Sequence, residues 1–345
     1  MVNYSENYWQ DVRLVSKQIP NIDRLYGKSI LITGATGMIC SAVAEVLLYL
    51  NKKENTKIHI IIAGRNKERL QKRFNCFEEG KDYSFFPYDA TSSTPVSIKA
   101  DYIIHGASNA DPGKFAKEPV ETMLANIVGL HTLLKSASEN QTKRLLYISS
   151  SEVYGRKEDK RPYKEDNYGF VDILNPRASY PSSKRAAETL CCAYSAEYGL
   201  DVVIVRPGHI YGPTITDSDS RASAQFTRQA KAGKNIVMKS AGCQLRSYCY
   251  TMDCASAILT VLINGKCGEA YNISNPKSVV TIREMAEALA KAGKVKIVFD
   301  NPSDIEKKSY NLMANSSLES IKLESLGWKA LFNMELGAVK TLDAL

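Results

Sequence analysis

A tyrosine and a lysine one helical turn apart, Tyr180 and Lys184, could together remove a proton from a hydroxyl group. A free phenol has a pKa of about 10, and a neighbouring ammonium group favours its phenolate form. The same spacing separates Tyr49 and Lys53, so the spacing alone identifies no site. A partner hydroxyl group is also needed, and Ser150, after the apolar run KRLLYI, could hydrogen-bond the same substrate oxygen.

A glycine-containing turn lies earlier in the chain, between the apolar run SILIT and the stretch MICSAVAEVLLYL. A helix that begins there presents unpaired N–H groups and a positive dipole end, which suit a pyrophosphate. Gly34 permits the tight turn and Gly37 a close backbone approach, while the small Cys40 replaces the third glycine of the pattern. We expect a dinucleotide to contact Gly34, Thr36, Gly37, Met38 and Ile39.

A bound nicotinamide dinucleotide would complete the chemistry, because the Tyr180 phenolate could take a hydroxyl proton while hydride leaves for the nicotinamide. The second apolar run ends in AGRN and lacks the acidic residue that favours NAD. Arg65 could pair with the 2′-phosphate of NADP, stack on adenine, or face solvent. We predict NAD as the cofactor, leave NADP open, and expect contacts at Arg65 and Asn66.

Short apolar strands that alternate with helices must position these residues, as in KIHIIIAGRN followed by KERLQKRF. The alternation predicts an α/β fold: a Rossmann-type doubly wound parallel sheet with a smaller C-terminal substrate-binding lobe. In such sheets ligands bind beyond the carboxyl ends of the strands. Asp89 could receive the adenine amino group there, or form an Asx turn in its own loop. The cofactor contacts expected after these strands are Asp89, Ala90, Ala107, Ser108 and Pro207.

The same pattern predicts how the chain divides. Residues 1–26 are an N-terminal extension with one short helix. Residues 27–206 form the dinucleotide-binding domain, which also receives about 248–272, while 207–247 and 273–345 form the substrate-binding lobe.

Composition argues against several other classes of protein. The 345 residues carry a formal net charge of +8, but basic and acidic residues are interleaved, so no nucleic-acid partner is expected. The sequence has no apolar run of about 18 residues and no secretory leader, which predicts a cytoplasmic protein without a membrane span. The eight cysteines form no CxxC pair or zinc-type cluster, so we expect reduced thiols and no metal site.

Several segments together resemble the extended short-chain dehydrogenase/reductases that act on nucleotide sugars, the NAD-dependent epimerase/dehydratase family. The matching segments span nearly the whole chain: TGATGMI, HGASNADPGKF, NIVGLHTLL, ISSSEVYG, PRASYPSSKRAAE, RPGHIYGP and RSYCYTMDCASAI. Of these, SSSEVYG and NPRASYPSSKRAAE look most like UDP-glucuronate decarboxylases, the UDP-xylose synthases. The resemblance implies a nucleotide-diphosphate sugar as substrate. It also implies a homodimer built on the helices TMLANIVGLHTLL and SSKRAAETLCCAYSAEYG.

The resemblance further implies catalytic roles. Ser150 would hydrogen-bond the sugar O4, Tyr180 would be the base, and Lys184 would be its electrostatic partner. Ser151 and Glu152 stand where decarboxylases carry Ser-Glu and 4,6-dehydratases carry Asp-Glu. Glu152 could also be only a structural carboxylate.

Substrate contacts follow from the same comparison, together with departures from the pattern. Arg246 matches an arginine that touches the substrate, although it could only anchor phosphate, and Arg221 lies in a loop that grips the diphosphate. Phe115 stands where similar decarboxylases have a tyrosine near the sugar carboxylate. His209 replaces an asparagine that contacts the nucleotide sugar, or packs within its loop. The substrate-binding residues expected are thus Ser150, Phe115, His209, Arg221 and Arg246.

The reaction that follows C4 oxidation depends on the sugar. A C6 carboxylate makes the intermediate a β-keto acid that loses CO2, a C6 hydroxyl group allows elimination of water, and rotation of the keto sugar gives the 4-epimer. The hydroxyl group of Ser151 is far less acidic than an aspartic acid at this position, which argues against 4,6-dehydration. We therefore expect a decarboxylase before a 4-epimerase, and that before a 4,6-dehydratase. A non-catalytic dinucleotide-binding regulator on the same fold is the alternative from another class.

Overall fold

A parallel sheet of seven strands forms the centre of the structure, a computed structural model that describes residues 2–301 and 313–345. Its strands are β1 (Ser29–Thr33), β2 (His59–Gly64), β3 (Ser84–Pro87), β4 (Tyr102–His105), β5 (Arg144–Ile148), β6 (Val202–Pro207) and, tenth along the chain, β10 (Ala270–Ile273). They lie in the order β3-β2-β1-β4-β5-β6-β10. The strand order reverses between β1 and β4, where such sheets bind ligands.

The helices of the described residues are α1 (Glu6–Ser16), α2 (Met38–Glu54), α3 (Lys67–Arg73), α4 (Pro112–Lys117), α5 (Pro119–Glu139), α6 (Ser179–Tyr198), α7 (Ala222–Lys231), α8 (Thr251–Asn264), α9 (Ile282–Gly293), α10 (Ile321–Glu324) and α11 (Met334–Asp343). Of these, α2, α5, α6 and α8 cover the two faces of the central sheet. Successive β1 residues point to opposite faces: Ile30 and Ile32 join the core with α2 and α8, whereas Leu31 joins the core with α5 and α6. Strands buried on both faces explain the continuous apolar runs, and the predicted α/β fold is confirmed.

Six further strands of the described residues form two smaller sheets in the C-terminal part of the chain. They are β7 (His209–Tyr211), β8 (Ile236–Met238), β9 (Leu245–Tyr250), β11 (Val279–Thr281), β12 (Ile297–Phe299) and β13 (Asn315–Ser316). β9 pairs with β7, β11 and β13, and β8 pairs with β12. Residues 302–312 of the predicted substrate-binding lobe lie outside the described residues.

The chain returns to the main sheet after β9. α8 packs against α2, and β10 pairs in parallel with β6 at the edge of the sheet. The boundaries drawn from the sequence between the domain and the lobe stay a prediction.

The N-terminal segment is part of the core. The Tyr8 hydroxyl group donates a short hydrogen bond to Glu45 in α2, and the Tyr4 hydroxyl group donates to the other oxygen of Glu45 at 2.8 Å. Arg73 pairs with the same carboxylate at 2.6 Å. Because Tyr8 and Val12 are fully buried, α1 is fixed to the helix that follows the glycine turn.

Candidate active site

The glycine turn after β1 has the geometry of a phosphate-binding loop. Gly34 has a φ of +73°, and a Cβ built on it would lie 2.7 Å from the carbonyl carbon of Gly106 and 2.8 Å from the Ala107 nitrogen. The N-cap of α2 is Gly37, and no side chain caps the first N–H groups of this helix. These N–H groups and the positive helix end therefore suit a pyrophosphate.

A second glycine explains how Cys40 replaces the third glycine of the motif. Cys40 is buried in the first turn of α2, and its Sγ occupies the space where a Cβ of Gly106 would lie. Gly106 follows β4 directly, in the segment HGAS. The lack of a side chain there lets the larger Cys40 pack between α2 and β4. Sequence reasoning chose Ala107 and Ser108 and missed Gly106.

Tyr180 and Lys184 lie in the first two turns of α6, and both are buried, with 6% and 2% of their surfaces exposed. Lys184 Nζ donates to the Ile148 carbonyl oxygen at 2.8 Å, and it lies 5.8 Å from the centre of the Tyr180 ring. Burial lowers the pKa of Lys184 to about 7, although Glu188 raises it. The lysine thus lies between the end of β5 and the Tyr180 ring, and its electrostatic role towards the phenol stays a prediction.

Ser150 meets Tyr180 at the same end of β5. Burial raises the pKa of Tyr180 to about 12, while a hydrogen bond with Ser150 lowers it, as do the charges of Arg221 and Arg177. Ser150 Oγ also accepts from the Glu152 N–H at 3.2 Å and so caps the short turn Ser151–Tyr154. The structure brings Ser150, Tyr180 and Lys184 together.

Glu152 pairs with an arginine that sequence reasoning missed. Arg177 Nη1 and Nη2 donate to Glu152 Oε2 and Oε1, both at 3.0 Å. The guanidinium carbon of Arg177 lies 4.5 Å from the centre of the Phe115 ring. Phe115 in turn stacks on Tyr180, with 5.0 Å between ring centres and 13° between ring planes. Phe115 and Glu152 therefore lie beside Tyr180, the predicted base. The segment NPRASY was the only sequence signal for Arg177.

Two further arginines and a histidine come from the C-terminal part of the chain, after β6. Arg221 is paired with Asp219 at 2.6 Å, and its Nη2 lies 3.4 Å from the Sδ of Met38 beside the glycine turn. Arg246 in β9 is buried and lies close enough to Glu152 for the carboxylate to raise its pKa, although burial has the larger, opposite effect. Burial and the charges of Arg246 and Arg221 lower the pKa of His209 to about 3, so this imidazole is neutral. Arg221 therefore lies within electrostatic range of Tyr180, and Arg246 within range of Glu152.

A comparison with known protein families decides how this arrangement is classified. The family model described as the NAD dependent epimerase/dehydratase family matches residues 30–274, from β1 to the end of β10. The chain belongs to the NAD-dependent epimerase/dehydratase family. The family resemblance seen in the sequence motifs, and with it the expectation of an enzyme, is confirmed.

Individual members of the family share most of this chain. UDP-glucuronic acid decarboxylase 1 of Xenopus tropicalis is 28% identical over 318 residues, which are 91% of this chain and 71% of the relative. The human dTDP-D-glucose 4,6-dehydratase is 27% identical over 92% of this chain and 90% of the relative. A UDP-glucuronic acid 4-epimerase from Bacillus cereus, solved with UDP-glucuronic acid and NAD, has a TM-score of 0.76 at 21% identity, over 92% of this chain and 98% of that chain.

In the part of the chain that the structure describes, several buried polar atoms near the ends of the central strands have no hydrogen-bond partner and are free to bind a dinucleotide. Within the described ranges, the Oγ of Ser108, the Oγ of Ser149 and the Nε2 of His105 are buried without a hydrogen-bond partner, and each follows or ends a central strand. Together with the uncapped N–H groups at Gly37, they suit a polar ligand along the switch point of the sheet. The residues present therefore fit a nicotinamide dinucleotide, which supplies hydride acceptance and return when it is bound.

Two of the residues predicted to contact the adenosine, Asp89 and Asn66, form hydrogen bonds within the protein. Asp89 Oδ1 accepts from the N–H and hydroxyl groups of Thr91 at 2.9 and 2.8 Å, so the Asx turn is the observed arrangement. Asn66 Oδ1 caps α3 through the Arg69 N–H at 2.7 Å, and Arg65 is exposed. Thr36, Ile39, Ala90 and Pro207 border the same edge of the sheet, and their contacts with a cofactor stay predictions.

No group of three or more His, Cys, Asp or Glu side chains among the described residues could hold a metal ion. No helix of the described part is long and apolar enough to cross a membrane.

Proposed function

We propose that this enzyme transiently oxidises C4 of a nucleotide-diphosphate sugar with bound NAD, and that it decarboxylates a UDP-glucuronate-type substrate. The observation that carries the proposal is the cluster of Ser150, Tyr180 and Lys184 at the end of β5, beside the uncapped start of α2. UDP-glucuronic acid decarboxylases from frog, zebrafish and Arabidopsis, which match about nine tenths of the chain, support the choice of reaction.

The side chains divide the first step among them. Ser150 and Tyr180 bind the sugar O4, and Tyr180 takes its proton as C4 is oxidised. Lys184 stabilises the phenolate by its charge, since a cation close to an acid favours the ionised form. Tyr180 and Lys184 are buried, and their position excludes water and strengthens the electrostatic interaction between them.

Charge around the site supports a substrate with a carboxylate at C6. Arg177, Arg221 and Arg246 lie around Tyr180 and Glu152. Glu152 pairs with Arg177, Asp219 pairs with Arg221, and the charge of Asp111 also acts on Arg221. The 4-keto uronate is a β-keto acid that loses CO2 without an acid catalyst. Ser151 is buried and cannot protonate a leaving hydroxyl group as an aspartic acid can, which makes 4,6-dehydration the weakest alternative.

The choice of NAD over NADP belongs to the proposal. Arg65 is exposed directly after β2. Burial raises the pKa of Asp89, but the Thr91 hydrogen bonds and the charge of Arg65 lower it below its usual value. An acidic neighbour opposes a 2′-phosphate at this position, which favours NAD. Isothermal titration with each dinucleotide measures the preference, and tighter binding of NADP would contradict it.

We also propose a cytoplasmic homodimer. The outer surfaces of α5 and α6 expose Val120, Met123, Leu124 and Tyr198, an apolar set that suits a partner helix pair. All eight cysteines are free, which supports a reducing compartment. Sedimentation of the purified protein tests the dimer, and a monomer at all concentrations would contradict it.

Product analysis tests the reaction. Purified protein is incubated with UDP-glucuronate, UDP-glucose and other nucleotide sugars, with NAD or NADP added, and the products are weighed by mass spectrometry. Release of CO2 from UDP-glucuronate is the expected result. Loss of water would indicate a dehydratase, an isomer of unchanged mass a 4-epimerase, and no turnover despite bound dinucleotide a regulator.

A further inference from the structure

Arg177 is held in place at its backbone as well as by its ion pair with Glu152. Arg177 lies in the one-turn helix Pro176–Ala178, directly before α6, and its N–H group donates to the Asn175 side chain at 3.0 Å. Both guanidinium N–H groups that face Glu152 bond to it, one to each carboxylate oxygen. A bidentate pair of this kind fixes the direction of the carboxylate as well as its place.

An aromatic ring couples this pair to the base. Phe115 is fully buried between the Arg177 guanidinium group on one side and the Tyr180 ring on the other. Arg177 is therefore held by Glu152, by Asn175 and by the face of Phe115. A continuous row of contacts thus leads from Glu152 through Arg177 and Phe115 to Tyr180. It fixes the distance between the carboxylate and the phenol that takes the O4 proton.

Stability alone is a weak reason for this ion pair. The side chains of Glu152 and Arg177 are 22% and 25% exposed, and ion pairs with this access to water contribute little to folding. Both side chains lie close enough to Tyr180 for their charges to act on its phenol, and Glu152 also lies close enough to act on Arg246. Arg144 and Asp201 form an equally bidentate pair at the opposite, amino-terminal end of β5, so the chain offers a matched pair outside the site.

We propose that Arg177 is a positioning residue that fixes the Glu152 carboxylate for proton transfer at the sugar C5 after C4 has been oxidised. The inference rests on the proposed decarboxylation. Loss of CO2 breaks the C5–C6 bond and leaves its electron pair as a C4–C5 enolate. C5 then takes a proton from the Glu152 carboxyl group, which has taken that proton from water. The ketone so formed at C4 is reduced by the return of the hydride that C4 gave up to the bound dinucleotide in the first step, and Tyr180 returns the proton to O4.

Four proteins separate this role from a structural one: the wild type, Arg177→Ala, Glu152→Gln and the double variant. Each is incubated with UDP-glucuronate and NAD, and any 4-keto sugar is trapped by borodeuteride reduction and quantified by mass spectrometry. We expect Arg177→Ala to form CO2 and keto sugar but to complete the reaction about 10²-fold more slowly. Glu152→Gln should show the same slow completion of the reaction, and the double variant should be no slower than either single variant. Added guanidinium ion, below denaturing concentrations, should restore completion in Arg177→Ala but not in Glu152→Gln.

Arg144→Ala is the matched control, because it removes a bidentate arginine–carboxylate pair from the far end of the same strand. It should release no keto sugar and complete the reaction like the wild type. The inference is overturned if Arg177→Ala completes the reaction at the wild-type rate, or if it loses C4 oxidation and completion by the same factor. A wild type that releases no CO2 would overturn the proposed decarboxylation itself, before any variant is compared.

Discussion

Adding one methyl group at Gly106 should destabilise the protein by an amount that depends on Cys40. The new Cβ would overlap the Cys40 Sγ, and it would lie 3.1 Å from Ile148 Cδ1 and 3.5 Å from the Thr33 carbonyl oxygen. Forcing an extra methyl group into a packed core costs about 1–3 kcal/mol. Because only the Cys40 contact is an overlap, most of the loss in Gly106→Ala should come from that side chain.

A double-mutant cycle with Cys40→Ala measures this dependence. Removing the buried sulfur alone should cost about 1 kcal/mol, close to the value for a buried methylene group. In the double variant the new methyl group occupies the vacated space, so we expect a favourable coupling free energy of about 1–2 kcal/mol. Urea titrations of the four proteins give the free energies of unfolding. Losses that add within about 0.5 kcal/mol would refute the packing argument.

Three further changes have defined outcomes. Tyr180→Phe should retain dinucleotide binding in a titration but lower turnover at least about 10²-fold, since no base remains, and unchanged turnover would contradict the assignment. Glu188→Ala leaves the Arg206 guanidinium group, whose side chain is 3% exposed, without its partner at 2.6 Å. We expect a loss of about 3–5 kcal/mol in urea unfolding, reduced when Arg206→Met is added. Burial raises the pKa of Asp253 to about 7 although N–H bonds lower it. The folded protein therefore holds a proton that the unfolded chain releases above about pH 4. Stability should thus fall as pH rises from about 4 to 7, and Asp253→Asn should flatten that slope.

Local patterns in the sequence accounted for the central sheet and for the chemical core of the site. The apolar runs became strands of the central sheet, and those inside the sheet are buried because a parallel sheet covered on both faces needs apolar residues at successive positions. The edge strand β3 is only partly buried. Tyr180 and Lys184 met because a helix fixes their relative position within one turn. Ser150 followed from its place at a strand end.

Groups that depend on the path of loops could not be predicted from the sequence. Arg177 reaches Glu152 across 25 positions, and only the folded course of the intervening segment sets that approach. Gly106 and Cys40 lie on separate elements, so their complementary sizes carry no periodic signal. The sequence pattern of the N-terminal extension also predicted its short helix. The burial of that helix could not be predicted, because it depends on the contact between Tyr8 and Glu45 in α2.

The most direct test of the account follows the hydrogen atom on the sugar C4. UDP-glucuronate that carries deuterium at C4 is incubated with the enzyme and unlabelled NAD in ordinary water, and the product is analysed by mass spectrometry and NMR. Because C4 is oxidised and then reduced within one site, the account predicts a product that has lost CO2 and keeps deuterium at C4. A decarboxylated product without deuterium at C4 would contradict transient oxidation with internal return.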